Sequence, residues 1–148
     1  MACPPNDLPP DIHGRCHCGN LSYHLYWPAA TTLILRACGC DYCSRHGALW
    51  ISHPAALITL TVAAQDLVLL YRFGTESADF LVCRRCGILT LARCAHASGE
   101  RAVVNANTFE NLSPAQCGRA ATDFDNEDLA ERLARRLRNW SPLTTVLA

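Results

Sequence analysis

Residues 14–27 read G-R-C-H-C-G-N-L-S-Y-H-L-Y-W. The first part is a C-x-C pair, Cys16 and Cys18, closed by Gly19. The second part alternates, with Leu21, Tyr23, Leu25 and Trp27 on one face, which is the period of a half-buried strand. Pro28 ends the run. A soft-metal turn therefore feeds directly into a strand. Two further groups follow: C-G-C-D-Y-C at 38–43, with Cys38, Cys40 and Cys43, and C-R-R-C-G at 83–87, with Cys83 and Cys86. Seven of the ten cysteines fall in these three groups, and that grouping sets the reading of everything else.

Thiolates one or two residues apart can converge on one metal ion. Zinc takes four protein ligands where it is structural, and three plus an exchangeable one where it is catalytic. Seven thiolates divide as four and three without splitting any group. The division pairs Cys16 and Cys18 with Cys83 and Cys86, and leaves Cys38, Cys40 and Cys43 as an open set. C-x-x-C followed by glycine forms a tight turn whose amides can face the sulfurs. Two such pairs far apart in sequence would tie a small β-domain together. The trio could take water, His46 or an incoming thiol as its fourth ligand. Three thiolates make a soft site suited to sulfur, and a metal keeps a thiol ionised at neutral pH. A thiolate held beside an aldehyde can add to the carbonyl carbon, and the reverse step cleaves a carbon–sulfur bond. The spacing alone also allows a second structural site made of the trio and His46, or a metal shared by the first and second groups.

The totals narrow the field. The chain has 148 residues, half of them apolar, and thirteen arginines balance thirteen acids. Neutral charge gives no broad attraction to nucleic acid or to an anionic membrane. There is no lysine, so neither a Schiff base nor a P-loop can be built. No apolar leader precedes residue 14, and the apolar stretch at 55–71 is interrupted by Gln65 and Asp66. A reducing cytoplasm is the expected compartment, where paired cysteines more often bind metal than form disulfides.

Residues 1–13 are proline-rich and read as a poorly ordered arm, with 14–148 as one domain. Short strands are expected at 21–27, 32–37, 48–52, 57–62, 67–73, 78–82, 88–92 and 102–105. Turn signals at His53-Pro54, Gly74, Gly87 and Ser98-Gly99 separate most of them, which points to an antiparallel, mainly β domain. Near the C-terminus the period becomes helical, with Leu129, Leu133, Leu137 and Trp140 on one face. Asp125 is the expected N-cap, arginines fill the last turn, and Pro142 stops the helix. The leucine stripe would pack on the domain or on a partner subunit, including a second copy in a homodimer.

Taken in order, G-R-C-H-C-G-N-L-S-Y, C-G-C-D-Y-C-S-R-H-G-A and F-L-V-C-R-R-C-G resemble the glutathione-dependent formaldehyde-activating enzyme family. The resemblance runs from about Gly14 to Leu112 and includes V-V-N-A-N-T-F-E-N at 103–111. It implies a β-tent of small antiparallel sheets, structural zinc at Cys16, Cys18, Cys83 and Cys86, and catalytic zinc at Cys38, Cys40 and Cys43. It also implies a carbon–sulfur lyase acting on the adduct of a small thiol such as glutathione with a small aldehyde, the adduct with formaldehyde being S-hydroxymethylglutathione. The chain departs from the family at Gly39, where histidine is frequent, at Ile88, where a small hydroxyl residue is common, and from Ser113 onward. These departures bear on substrate more than on fold or metal.

Other residues carry weaker signals. Cys3, Cys94 and Cys117 stand alone and read as packing or surface thiols, Cys94 being the one nearest a knuckle. His17 reads as a solvent-facing spacer, while His46 and His53 could carry protons at the open site. Asp41 and Tyr42 lie inside the trio and could touch substrate. Trp27, Trp50 and Trp140 read as core. Two alternatives to an enzyme remain: a non-catalytic zinc module that binds protein, and a thiol redox protein built on C-R-R-C. The latter lacks a surrounding βαβ pattern.

Overall fold

The alternation at 21–27 is realised in full. Leu21, Tyr23, Leu25 and Trp27 are buried, while His24 and Tyr26 face solvent. The computed structural model describes residues 8–148, and the first part of the proline-rich arm, with Cys3, lies outside them. The strands are β1 Asp11–Arg15, β2 Leu21–Tyr26, β3 Ile34–Cys38, β4 Leu49–Ile51, β5 Leu57–Val62, β6 Val68–Tyr71, β7 Asp79–Cys83, β8 Leu89–His96, β9 Gly99–Asn105, β10 Gly118–Thr122 and β11 Ser141–Leu147. The helices are α1 Asp41–His46 and α2 Leu129–Asn139. The fold is mainly β with a C-terminal helix, as expected of a β-tent.

Pairing runs β1-β2-β5-β11-β9-β4-β3-β10, and a branch leaves β9 through β8 and β7 to β6. The sheet is not purely antiparallel: β10 pairs with β3, and β11 with β5, in parallel. Parallel neighbours need long crossovers, and both pairs have them, because the 118–148 segment supplies the second strand of each, far along the chain from the first. β11 also joins two parts of the sheet. Ser141 and Pro142 pair with β9, and Leu143–Leu147 pair with β5. Pro142 thus sits at the start of a strand, where a missing N–H is tolerated. Residues 11–13, expected in the arm, belong to β1 and pair with β2.

The helix differs from expectation in two ways. Asp128, not Asp125, is the N-cap, and its carboxylate accepts from Glu131 N–H at 2.8 Å. The leucine stripe is not one buried face either. Leu133 packs on the core, but Leu129 and Leu137 are exposed, and the buried residues at this end are Arg136 and Trp140. Two apolar clusters result. One lies between β1, β2, β5 and their neighbours. The other surrounds Trp50, Ala92, Val103 and Trp140, and takes Leu133 and Phe80 from its edges.

Gly14 marks the tightest approach in the first cluster. A Cβ there would overlap the Thr108 carbonyl oxygen and the Tyr23 hydroxyl. That hydroxyl is itself buried and hydrogen-bonded to Thr108 Oγ1 at 2.8 Å. Gly14→Ala is therefore expected to destabilise the fold by about 1–3 kcal/mol, lowering Tm by roughly 3 °C per kcal/mol. An unchanged Tm in a thermal melt would contradict this packing.

Candidate metal centres

Two knuckle turns bring the first four cysteines together. In the first, Gly19 N–H donates to Cys16 O at 3.0 Å with Gly19 at φ +83. In the second, Gly87 N–H donates to Cys83 O at 2.8 Å with Gly87 at φ +80. Left-handed backbone of this kind favours glycine. The turns meet because each is bound to the 63–67 segment. Asn20 is hydrogen-bonded to Ala64 in both directions, and Arg84 N–H donates to Leu67 O.

The sulfurs of Cys16, Cys18, Cys83 and Cys86 then lie within 4.8 Å of one another. Cys16–Cys18 is 3.8 Å and Cys18–Cys83 is 3.5 Å. Tetrahedral zinc with bonds of about 2.3 Å requires sulfurs about 3.8 Å apart, so the cluster fits a four-coordinate ion. Leu21 N–H donates to Cys16 Sγ at 3.3 Å, a bond of the type that spreads thiolate charge. Burial pushes the Cys16 thiol up to about 12. Burial also opposes ionisation of Cys86, but the backbone bonds from Cys18 and Ile88 outweigh it and hold that thiol down to about 6.

The trio is built differently. Cys38 ends β3, Cys40 caps α1 and Cys43 lies within α1. Cys43 N–H donates to Cys40 Sγ at 3.4 Å, and Gly47 closes the helix at φ +60. The Trp50 indole N–H donates to Cys43 Sγ at 3.4 Å. Gly39 N–H donates to Thr122 O at 3.0 Å, which locks the trio to β10. The three sulfurs lie within 4.8 Å of one another. Hydrogen bonding with Cys43 holds the Cys38 thiol down to about 6 against its burial. The same bond, with burial, pushes Cys43 far up. Three thiolates this close repel one another, and a cation would be needed to hold them together.

No histidine or carboxylate joins either cluster among the described residues. The trio has three ligands where the first cluster has four. It also opens on a cavity of about 680 Å³, which none of the first four cysteines lines. One wall is aromatic: Tyr42 stacks on Tyr71 at 5.0 Å and meets Phe73 at 4.9 Å and Phe80 at 5.1 Å. The opposite wall comes from α2 and the turn before it. It carries Arg132, Arg135, Arg136 and Phe124.

The remaining candidates sort cleanly. His17 is exposed between two knuckle cysteines. His46 lies against Tyr42 at 4.8 Å but does not join the trio. His53 is held away from it, accepting from Ala55 N–H and meeting Trp27 edge-on. Asp41 and Tyr42 both line the cavity. Trp27, Trp50 and Trp140 are buried, and Trp50 has the added contact to Cys43. Cys117 packs in the first apolar cluster. Cys94 is buried beside Arg136, whose Nη1 approaches its sulfur at 3.7 Å. The arginines near the C-terminus, whose interleaving with acids suggests a solvated helix face, line the cavity instead. The place of Arg136 between Leu133 and Trp140 on one helical face is the trace this leaves in the sequence.

On this mainly β frame, one cluster of four cysteines and one of three, the latter facing a cavity, could each hold a metal ion. A family model described as glutathione-dependent formaldehyde-activating enzyme matches residues 11–126, and the chain belongs to that family. It is also similar to a solved Rhodobacter sphaeroides protein, with TM-score 0.55 and 27% identity over 73% of this chain and 99% of that one. No helix among the described residues is long and apolar enough to cross a membrane.

Proposed function

We propose that this chain is a zinc-dependent carbon–sulfur lyase of the glutathione-dependent formaldehyde-activating type. It would join a small thiol to a small aldehyde, and part them again, in the cytoplasm. Cys16, Cys18, Cys83 and Cys86 would hold a structural zinc, and Cys38, Cys40 and Cys43 a catalytic one. The observation that carries the reading is the asymmetry between the clusters: three convergent sulfurs, not four, line the wall of a large cavity. Family membership supports the thiol and aldehyde chemistry.

When bound at the trio, zinc would supply a soft Lewis acid that keeps a fourth thiol ionised at neutral pH. The chain's own groups do the rest. Trp50 N–H and the Cys43 amide take up charge on the ligand sulfurs, orienting them. The aromatic wall excludes water from the reacting carbon. Tyr42, whose phenol burial pushes up to about 12, stays neutral and can donate a hydrogen bond to the aldehyde oxygen. The net reaction balances without a redox partner. The thiol sulfur bonds to the carbonyl carbon, and the thiol proton ends on the carbonyl oxygen. The reverse reaction breaks that carbon–sulfur bond.

The test is NMR exchange spectroscopy with ¹³C-formaldehyde and glutathione on zinc-loaded protein. Exchange between free aldehyde and adduct should rise with protein concentration above the uncatalysed rate. Exchange identical to that in buffer would overturn the reading.

A further inference from the structure

The cationic wall of the cavity lies beyond the region that the family model matches, which stops before α2. It reaches the site through β10, whose parallel pairing with β3 sets Thr122 opposite Cys38 and leads the chain into Phe124, Asp125 and α2. Five arginines line the cavity against three acids. Two of these arginines are neutralised within the protein: Arg135 Nε–H is shared between both carboxylate oxygens of Glu127 at 2.9 and 3.0 Å and its guanidinium stacks on Phe124, and Arg45 pairs with Asp41.

Arg36, Arg132 and Arg136 have no carboxylate partner among the described residues. Arg136 is only 6% exposed and is held by Ser77 Oγ at 2.7 Å and by the Trp140 ring. Arg132 donates to the Phe124 carbonyl at 2.8 Å, and Arg36 to Ser52 Oγ at 2.6 Å. The Nε atoms of Arg132 and Arg136 are buried and unpartnered. Asp125, the acid of the lining outside any ion pair, bears on Cys38. Arg136 is buried and Arg36 and Arg132 are half-buried, and guanidinium groups so withdrawn from water without a counter-charge are costly unless an anion completes them.

We infer that Arg132, Arg136 and Arg36 form an anion site that holds a carboxylate of the thiol whose sulfur reaches Cys38, Cys40 and Cys43. The sulfur end of this reading rests on the function proposed above. The anion end stands on the arginines alone. Because α2 supplies two of the three guanidinium groups, the preference for an anionic thiol is a property of this chain's own C-terminal segment. Neutral thiols would meet the same sulfurs but leave the arginines unsatisfied.

Calorimetric titration of the zinc-loaded full chain tests this with three probes: glutathione, its diethyl ester, and S-methylglutathione, which keeps both carboxylates but has no thiol. The wild type should bind glutathione roughly 30-fold more tightly than the diester. Arg132→Gln should reduce that preference to a few-fold while leaving affinity for the diester unchanged. Arg36→Gln is the second variant, should Arg132→Gln melt early or lose zinc. Equal affinity of the wild type for glutathione and its diester would overturn the anion site, and so would a preference that survives both substitutions. S-methylglutathione separates the two readings. If it binds as tightly as glutathione, and weakens in Arg132→Gln, the anion site stands and the trio does not accept the thiol. If only free thiols bind, with or without carboxylates, the trio stands and the anion site falls.

Discussion

Cys83→Ser is expected to leave a chain that does not hold its fold at room temperature. Cys83 is fully buried at the end of β7, and its sulfur meets Cys18 at 3.5 Å from a turn 65 residues away in sequence. A structural zinc is worth about 10–16 kcal/mol of apparent folding free energy, whereas a domain of this size has about 5–15 kcal/mol in total. Loss of one ligand at a four-sulfur site therefore removes a contribution as large as the net stability. Far-UV circular dichroism and zinc analysis would read the effect directly. A variant that keeps its zinc and melts within a few degrees of the wild type would show that the 16/18 and 83/86 turns are held by packing instead.

Cys40→Ser is expected to do the opposite: the fold survives and the function does not. Cys40 caps α1, and serine is a favoured N-cap whose oxygen can accept the same Cys43 N–H. The helix and the Trp50 contact should persist, so melting should change little. The trio should lose its metal, and thiol–aldehyde exchange should fall by about 100-fold or more. The pair of variants thus separates the two clusters by their consequences, stability for one and reactivity for the other. A Cys40→Ser protein with full activity would remove the trio from the chemistry.

The cysteine arithmetic was legible because metal ligation imposes short, fixed spacings, and the fold returns the same grouping of four and three. Strands with strict alternation were legible too; Leu57–Val62 has the expected bounds, and β2 differs only at its end. The C-terminal third was harder to read. β10 is G-R-A-A-T, with small exposed residues that show no alternation, and its place is fixed by parallel pairing to β3 rather than by its own side chains. β11 follows Trp140 without a turn signal and contains a proline. Arg136 looked solvent-facing because arginine usually is, but here Ser77, Cys94 and Trp140 enclose it. Such non-local partners leave no periodic trace in a single sequence. The same limitation hid the cavity, whose walls come from segments more than ninety residues apart.

The most direct measurement of the account is a zinc-edge anomalous difference map from crystals of freshly purified, reduced protein. Two peaks per chain are expected, one within four sulfurs at Cys16, Cys18, Cys83 and Cys86, and one against Cys38, Cys40 and Cys43 with its fourth position toward the cavity. A single peak, at the four-sulfur cluster, would contradict it.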